Sequence, residues 1–169
     1  VPLYSTKMRR YAKKANKMII KRPLYLKQLI NRQHNGMIKI ITGMRRSGKS
    51  YLLFSLFVDY LTSQGIDATH IIKIDLEDIT NDYLREPFTL IEHINQRITD
   101  NKEYYILIDE VQHLQRFEDV LNTLLKNSQI DVYVTGSNAR FLSKDVITTF
   151  RGRGDEVRIH PLSFEEYMS

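Results

Sequence analysis

Ile38-Lys39-Ile40-Ile41-Thr42-Gly43-Met44-Arg45-Arg46-Ser47-Gly48-Lys49-Ser50 is the stretch that decides the fold. Its first part is a β-branched run bounded by Gly36 and Gly43, and reads as a buried strand. Gly43 to Ser50 fill every fixed position of G-x-x-x-x-G-K-[ST]. From Lys49 to Gln64, Leu52, Leu53, Leu56, Phe57, Tyr60 and Leu61 recur at helical spacing, with Gly65 where a C-cap belongs. Strand, glycine loop and helix in that order are the context the motif requires. Glycines let successive N–H groups point inward at phosphate oxygens, and the helix N-terminus adds a favourable dipole. Lys49 is placed to reach the β- and γ-phosphates, and the Ser50 hydroxyl to ligate Mg2+. Gly43, Met44, Arg45, Arg46, Ser47, Gly48, Lys49, Ser50 and the adjoining Tyr51 are therefore the expected nucleotide contacts.

On either side of this stretch, strands and helices alternate. Pro23 introduces a short amphipathic helix through Leu24, Leu26, Leu29 and Ile30. Ile71 to Ile74, Tyr104 to Ile108, Ile130 to Val134 and Val157 to Ile159 read as strands, and Phe88 to Ile98 and Leu114 to Leu125 as helices. A further helix begins at Phe164 to Met168. Strands apolar enough to be buried on both faces, alternating with helices, predict an α/β fold with a parallel sheet covered by helices.

The strand Tyr104-Tyr105-Ile106-Leu107-Ile108 runs into Asp109-Glu110, which places carboxylates at the carboxyl edge of the sheet, where open α/β sheets bind ligands. Asp109 is the expected Mg2+ carboxylate, and Glu110 the group that orients and deprotonates an attacking water. The competing role for the pair is to cap the next helix. Thr135-Gly136-Ser137-Asn138 follows the next strand, and either Ser137 or Asn138 is expected to hydrogen-bond the γ-phosphate or the water. A glycine turn with an N-cap is the plainer alternative. His113 reads as a helix-start residue rather than a base.

Composition narrows the classes. The 169 residues are 42% hydrophobic and 27% charged, ordinary globular usage that excludes wholesale disorder. No apolar run reaches the roughly 18 residues of a spanning helix, and the basic N-terminus has no signal-peptide apolar core. The absence of cysteine removes disulfide scaffolds, thiolate zinc sites and thiol nucleophiles, and agrees with a cytoplasmic location. The net charge of +5 is unevenly spread: 14 bases precede the first acid, Asp59, and everything after that point is net acidic. Eight of those bases lie in residues 1–22, which read as a solvated arm with nucleic acid as a candidate partner through phosphate neutralisation. No N-K-x-D base-reading motif favours GTP, so ATP is the expected nucleotide.

The P-loop, Asp109-Glu110-Val111-Gln112, Thr135-Gly136-Ser137-Asn138 and His160-Pro161-Leu162-Ser163-Phe164-Glu165-Glu166-Tyr167 occur in this order. Together they resemble the AAA+-like P-loop ATPases of bacteria and archaea whose Walker A reads G-x-R-R-x-G-K-S, from about Ile19 to Ser169. The resemblance implies a three-layer P-loop NTPase sandwich of the additional-strand, catalytic-glutamate type. Its mostly parallel sheet would have five strands, with the Ser137 strand between those of the P-loop and Asp109. It also implies a division into a basic arm, residues 1–17, and an ATPase domain, residues 18–169, with a C-terminal domain missing. Arg153 becomes the arginine-finger candidate, offered to a neighbour's nucleotide in a homo-oligomer.

The reading is thus an ATP-binding, Mg2+-dependent ATP-hydrolysing domain that drives a C-terminal effector, with Lys49, Glu110, Ser137, Asn138 and Arg153 in catalysis and Ser50 and Asp109 on the metal. The alternative is a nucleotide-binding switch with little hydrolysis. A helicase core, suggested by the D-E-x-Q box, would need a second motor domain, and a small-molecule kinase would need an acceptor site. No membrane partner is expected.

Overall fold

In the computed structural model, residues 22–137, 150 and 152–163 are described. They build a five-stranded sheet in the order β2-β3-β4-β1-β5, with every neighbouring pair parallel. The strands are β1 (Ile38–Gly43), β2 (Ile71–Asp75), β3 (Tyr104–Asp109), β4 (Ile130–Gly136) and β5 (Gly154–Ile159). The P-loop strand β1 and the acidic strand β3 are separated by β4, as the resemblance implied.

β1, β3 and β4 are buried at every position, which explains why their sequences are near-continuous apolar runs. Side chains alternate between two cores. Ile38, Ile40, Ile106, Ile108, Val132 and Val134 face helices α3 (Pro87–Asn95) and α4 (Phe117–Leu124). Ile41, Tyr105, Leu107, Tyr133, Val157 and Ile159 face α1 (Pro23–Asn31) and α2, the helix that follows the P-loop. Two helical layers thus enclose the sheet.

Helix α2 spans residues 49–63, but Leu52–Phe57 within it is wound as a π-helix, flanked by α-helical Lys49–Tyr51 and Val58–Ser63. It ends at Gly65, φ 84°, where the Gly65 N–H reaches the Thr62 carbonyl and the Ile66 N–H the Leu61 carbonyl, a Schellman cap.

Two helices are shorter than their apolar periodicity suggests. Glu86 caps α3 by accepting the N–H groups of Phe88 and Thr89, and α3 stops at Asn95, although Ile98 still packs on the core. α4 starts at Phe117 instead of Leu114, because Arg116 is left-handed (φ 50°) and Val111–His113 forms a separate 3-10 turn.

At the amino ends of the strands, a polar cluster lies inside the α1/α2 core. Lys39, fully buried, pairs with Asp131, which also accepts from the Tyr133 hydroxyl at 2.8 Å. Burial lowers the Lys39 pKa, although Asp131 pulls it up.

Candidate functional site

Because all strands are parallel, their carboxyl ends share one edge, and Gly43, Asp109, Gly136 and Ile159 end their strands there. The P-loop leaves β1 in contact with the end of β5. A Cβ on Gly43 would lie 2.5 Å from the Ile159 carbonyl oxygen, so only glycine fits. Arg46 (φ 64°) and Gly48 (φ 90°) are left-handed and curl the loop. Met44, Arg45 and Arg46 are exposed, whereas Ser47 and Lys49 are buried. Arg45 pairs with Glu77 across the surface at 2.9 Å. Tyr51, half-buried, lies in the first turn of α2.

Lys49 Nζ donates to the Gly43 carbonyl at 3.1 Å and the Met44 carbonyl at 2.9 Å, which holds the ammonium inside the loop. Burial lowers its pKa, against the pull of Glu110 and Asp109. Ser47 Oγ is buried with no hydrogen-bond partner among the described residues. An unsatisfied hydroxyl of this kind inside a loop suits a polar ligand.

Opposite the loop, Asp109 accepts from Ser50 Oγ at 2.6 Å through one carboxylate oxygen and from the Thr135 hydroxyl through the other. Burial raises the Asp109 pKa, partly offset by these two donors. The Thr135 hydroxyl in turn accepts the Glu110 N–H at 2.9 Å, which ties β4 to the end of β3. Glu110 is left-handed (φ 52°), and its side chain makes no capping bond to the 3-10 turn it precedes. Its carboxylate accepts from Ser137 Oγ at 2.8 Å and from the Gln112 amide. A left-handed non-glycine backbone costs about 1 kcal/mol, and such outliers concentrate where side-chain aim matters. Glu110, Gln112, His113 and Ser137, with Arg45 and Arg85 across from them, line a cleft of about 450 Å³ beside the loop.

Mg2+ fits this donor set. Ser50 and Asp109 juxtapose two hard oxygens at the loop, the pattern of an ion that is completed by phosphates and water. Among the described residues, no group of three or more His, Cys, Asp or Glu forms the alternative cage.

The structure thus brings Lys49, Ser50, Asp109, Glu110 and Ser137 to one edge. Arg153 is elsewhere: exposed, it precedes β5 at the opposite, amino edge, where its carbonyl accepts the Ile38 N–H. Asn138 lies outside the described residues, as do residues 1–17 and the helix expected at Phe164 to Met168.

Three contributors went unassigned in the sequence. Thr135 was readable as the strand-end hydroxyl next to Asp109 once β3 and β4 are paired, because Ile108 sits opposite Val134. Gln112 belonged to the D-E-x-Q box. Arg22, which charge alone put in a solvated basic stretch and the resemblance put in the domain, is 2% exposed and folded against the loop.

A family model described as an AAA domain matches residues 35–168. The chain belongs to the AAA domain family. An uncharacterized protein of Haemophilus influenzae is 36% identical over 90% of this chain and 38% of its own length. Another, from Methanocaldococcus jannaschii, is 30% identical over 93% of this chain and 32% of its own. The chain therefore spans about a third of the length of these curated relatives.

Among solved structures, the domain is similar to a DNA polymerase III gamma subunit-related protein of Thermotoga maritima. The TM-score is 0.57 with 14% identity, covering 83% of this chain and 46% of that one. It is also similar to AMPPCP-bound DnaA of Aquifex aeolicus, with TM-score 0.50 and 18% identity over 84% of this chain and 46% of that one. These likenesses establish the fold, and the family match makes it an AAA+-like P-loop ATPase domain. No helix among the described residues of this AAA domain is long and apolar enough to cross a membrane.

Proposed function

We propose that this AAA domain binds Mg2+·ATP and hydrolyses it, and that in the longer protein the cycle drives a C-terminal effector. The observation that carries the reading is the Glu110 carboxylate, which Ser137 and Gln112 hold on the wall of the cleft beside the loop, one residue past the Asp109 that pairs with Ser50. Lys49 neutralises β/γ-phosphate charge, and the loop N–H groups fix the phosphate chain. Glu110 takes the proton of the water that attacks the γ-phosphorus, and Ser137, with Asn138 its candidate neighbour, keeps that carboxylate in place. Mg2+, held by Ser50 and Asp109, would supply the charge that stabilises the departing β-phosphate. Arg153 completes the set from a second copy of the chain. The AMPPCP carried by the DnaA neighbour supports an adenine nucleotide.

The test is ATP turnover by the full-length protein, with and without DNA. Glu110→Gln should keep ATP binding while turnover falls about 10²-fold or more, the scale of a lost general base. Slow wild-type turnover left unchanged by Glu110→Gln would make the domain a nucleotide-binding switch. A rise in turnover with DNA would identify the partner of the basic arm.

A further inference from the structure

Arg22 lies just before α1 and outside residues 35–168, which the family model matches, yet it is one of the most deeply buried large side chains of the domain. Its guanidinium is a fork with two tines in different parts of the fold. Nη1 donates to the Ser47 carbonyl in the P-loop at 2.5 Å, and Nη2 to the His160 carbonyl just past β5 at 2.6 Å. The guanidinium carbon stands 4.6 Å from the centre of the Tyr25 ring, and the Tyr25 hydroxyl accepts the His160 N–H at 3.3 Å. Gly48 leaves room for this approach, since a Cβ there would come within 3.4 Å of Nη1.

The Ser47 carbonyl shares a peptide plane with the Gly48 N–H. In a trans peptide these two groups point in opposite directions. Drawing the Ser47 oxygen outward onto Arg22 therefore turns the Gly48 N–H inward, to the concave side where a P-loop cradles phosphate. A charge-assisted bond to the carbonyl also polarises the peptide and makes that N–H a better donor. Because the second tine holds His160, any tilt of this peptide is felt where the chain leaves β5, and the reverse holds by linkage.

We propose that Arg22 is a positioning residue that aims the Gly48 N–H at the nucleotide phosphates and couples occupation of the P-loop to the backbone leaving β5 at residues 160–163. The proposal rests on the reading of the site as an ATPase centre. It links the phosphate-binding loop to the chain just past β5 through one side chain.

The experiment uses the full-length protein, with Arg22→Ala and Arg22→Lys compared with wild type in steady-state ATPase assays and amide hydrogen exchange. Lysine keeps the charge but lacks the fork needed to hold both carbonyls. Both variants should raise KM for ATP about tenfold or more, with kcat within about twofold, since Glu110 and its holders are untouched. In wild type, saturating ATP should slow exchange at residues 162 and 163, and in the variants this response should vanish even at saturating ATP. A variant that only melts earlier, with KM and the response at 162 and 163 unchanged, overturns the proposal and leaves the ATPase reading standing. Should Arg22→Ala fail to fold, Arg22→Lys alone decides by the same two readouts. Wild type that does not bind ATP overturns both.

Discussion

Asp109 shows at the scale of one residue how a site can cost the fold stability. Its carboxylate is buried at the end of β3, and burial lifts its pKa above the ordinary 3.8 even though Ser50 and Thr135 donate to it. A raised folded-state value means that the folded chain holds this proton more tightly than the unfolded chain. The contribution of Asp109 to stability is therefore complete below the ordinary value and is lost as pH rises through the folded one. At neutral pH the charged group is a net liability until a cation meets it. Asp109→Asn keeps the shape, and both hydroxyls can rotate to serve the amide. It should melt at or above the wild-type temperature at pH 7, with the advantage shrinking as pH falls towards 4. Its Mg2+-dependent ATP affinity should drop. Thermal denaturation across pH, paired with calorimetric ATP titration, measures both arms. A variant destabilised at pH 7 and unchanged in binding would show that Asp109 is a structural acceptor.

At the scale of elements, the seam between β1 and β5 is where fold and site meet. Gly43 pairs with Ile159, and a Cβ at Gly43 would lie 2.5 Å from the Ile159 carbonyl oxygen and 3.0 Å from Ser47 Oγ. The first clash is with backbone, which cannot swing away as a side chain would. Gly43→Ala should therefore force β5 from β1 at the carboxyl edge, lower the melting temperature and weaken ATP binding together. Intact affinity in this variant would mean the loop is not gripped by β5. These elements also show what a sequence reveals. β1, β3 and β4 were legible because burial on both faces writes itself as largely apolar runs, and the P-loop because its chemistry tolerates few residue types. Arg22 was not legible, since its partners are carbonyl oxygens of Ser47 and His160, which carry no residue identity. Thr135 was hidden for a related reason: its role depends on β4 lying beside β3, a pairing between segments far apart in the chain. Leu114 continued the apolar spacing of the helix that holds Phe117, Val120 and Leu121, but the left-handed turn at Arg116 cuts it off.

At the scale of the whole molecule, the two edges of the sheet are chemically unlike. The carboxyl edge holds Lys49, Asp109 and Glu110, and the amino edge holds Arg153, just ahead of β5. The six residues of β5 separate them, roughly 20 Å at about 3.3 Å per residue. An arginine side chain cannot cover that span to the P-loop of its own chain. If Arg153 serves catalysis, it does so at a neighbour's nucleotide, and an arginine delivered in this way is worth about 10³ to 10⁵ in rate. Specific ATPase activity of the full-length protein should then rise with protein concentration. Arg153→Ala and Lys49→Ala should each be inactive alone, for different reasons: the first keeps an intact nucleotide site but gives its neighbour no cation, and the second gives the cation but binds no ATP. Mixing the two should restore part of the activity, because some interfaces pair an intact site with an intact Arg153. Activity flat with concentration, together with a mixture as dead as its components beside an active wild type, would reduce Arg153 to surface charge.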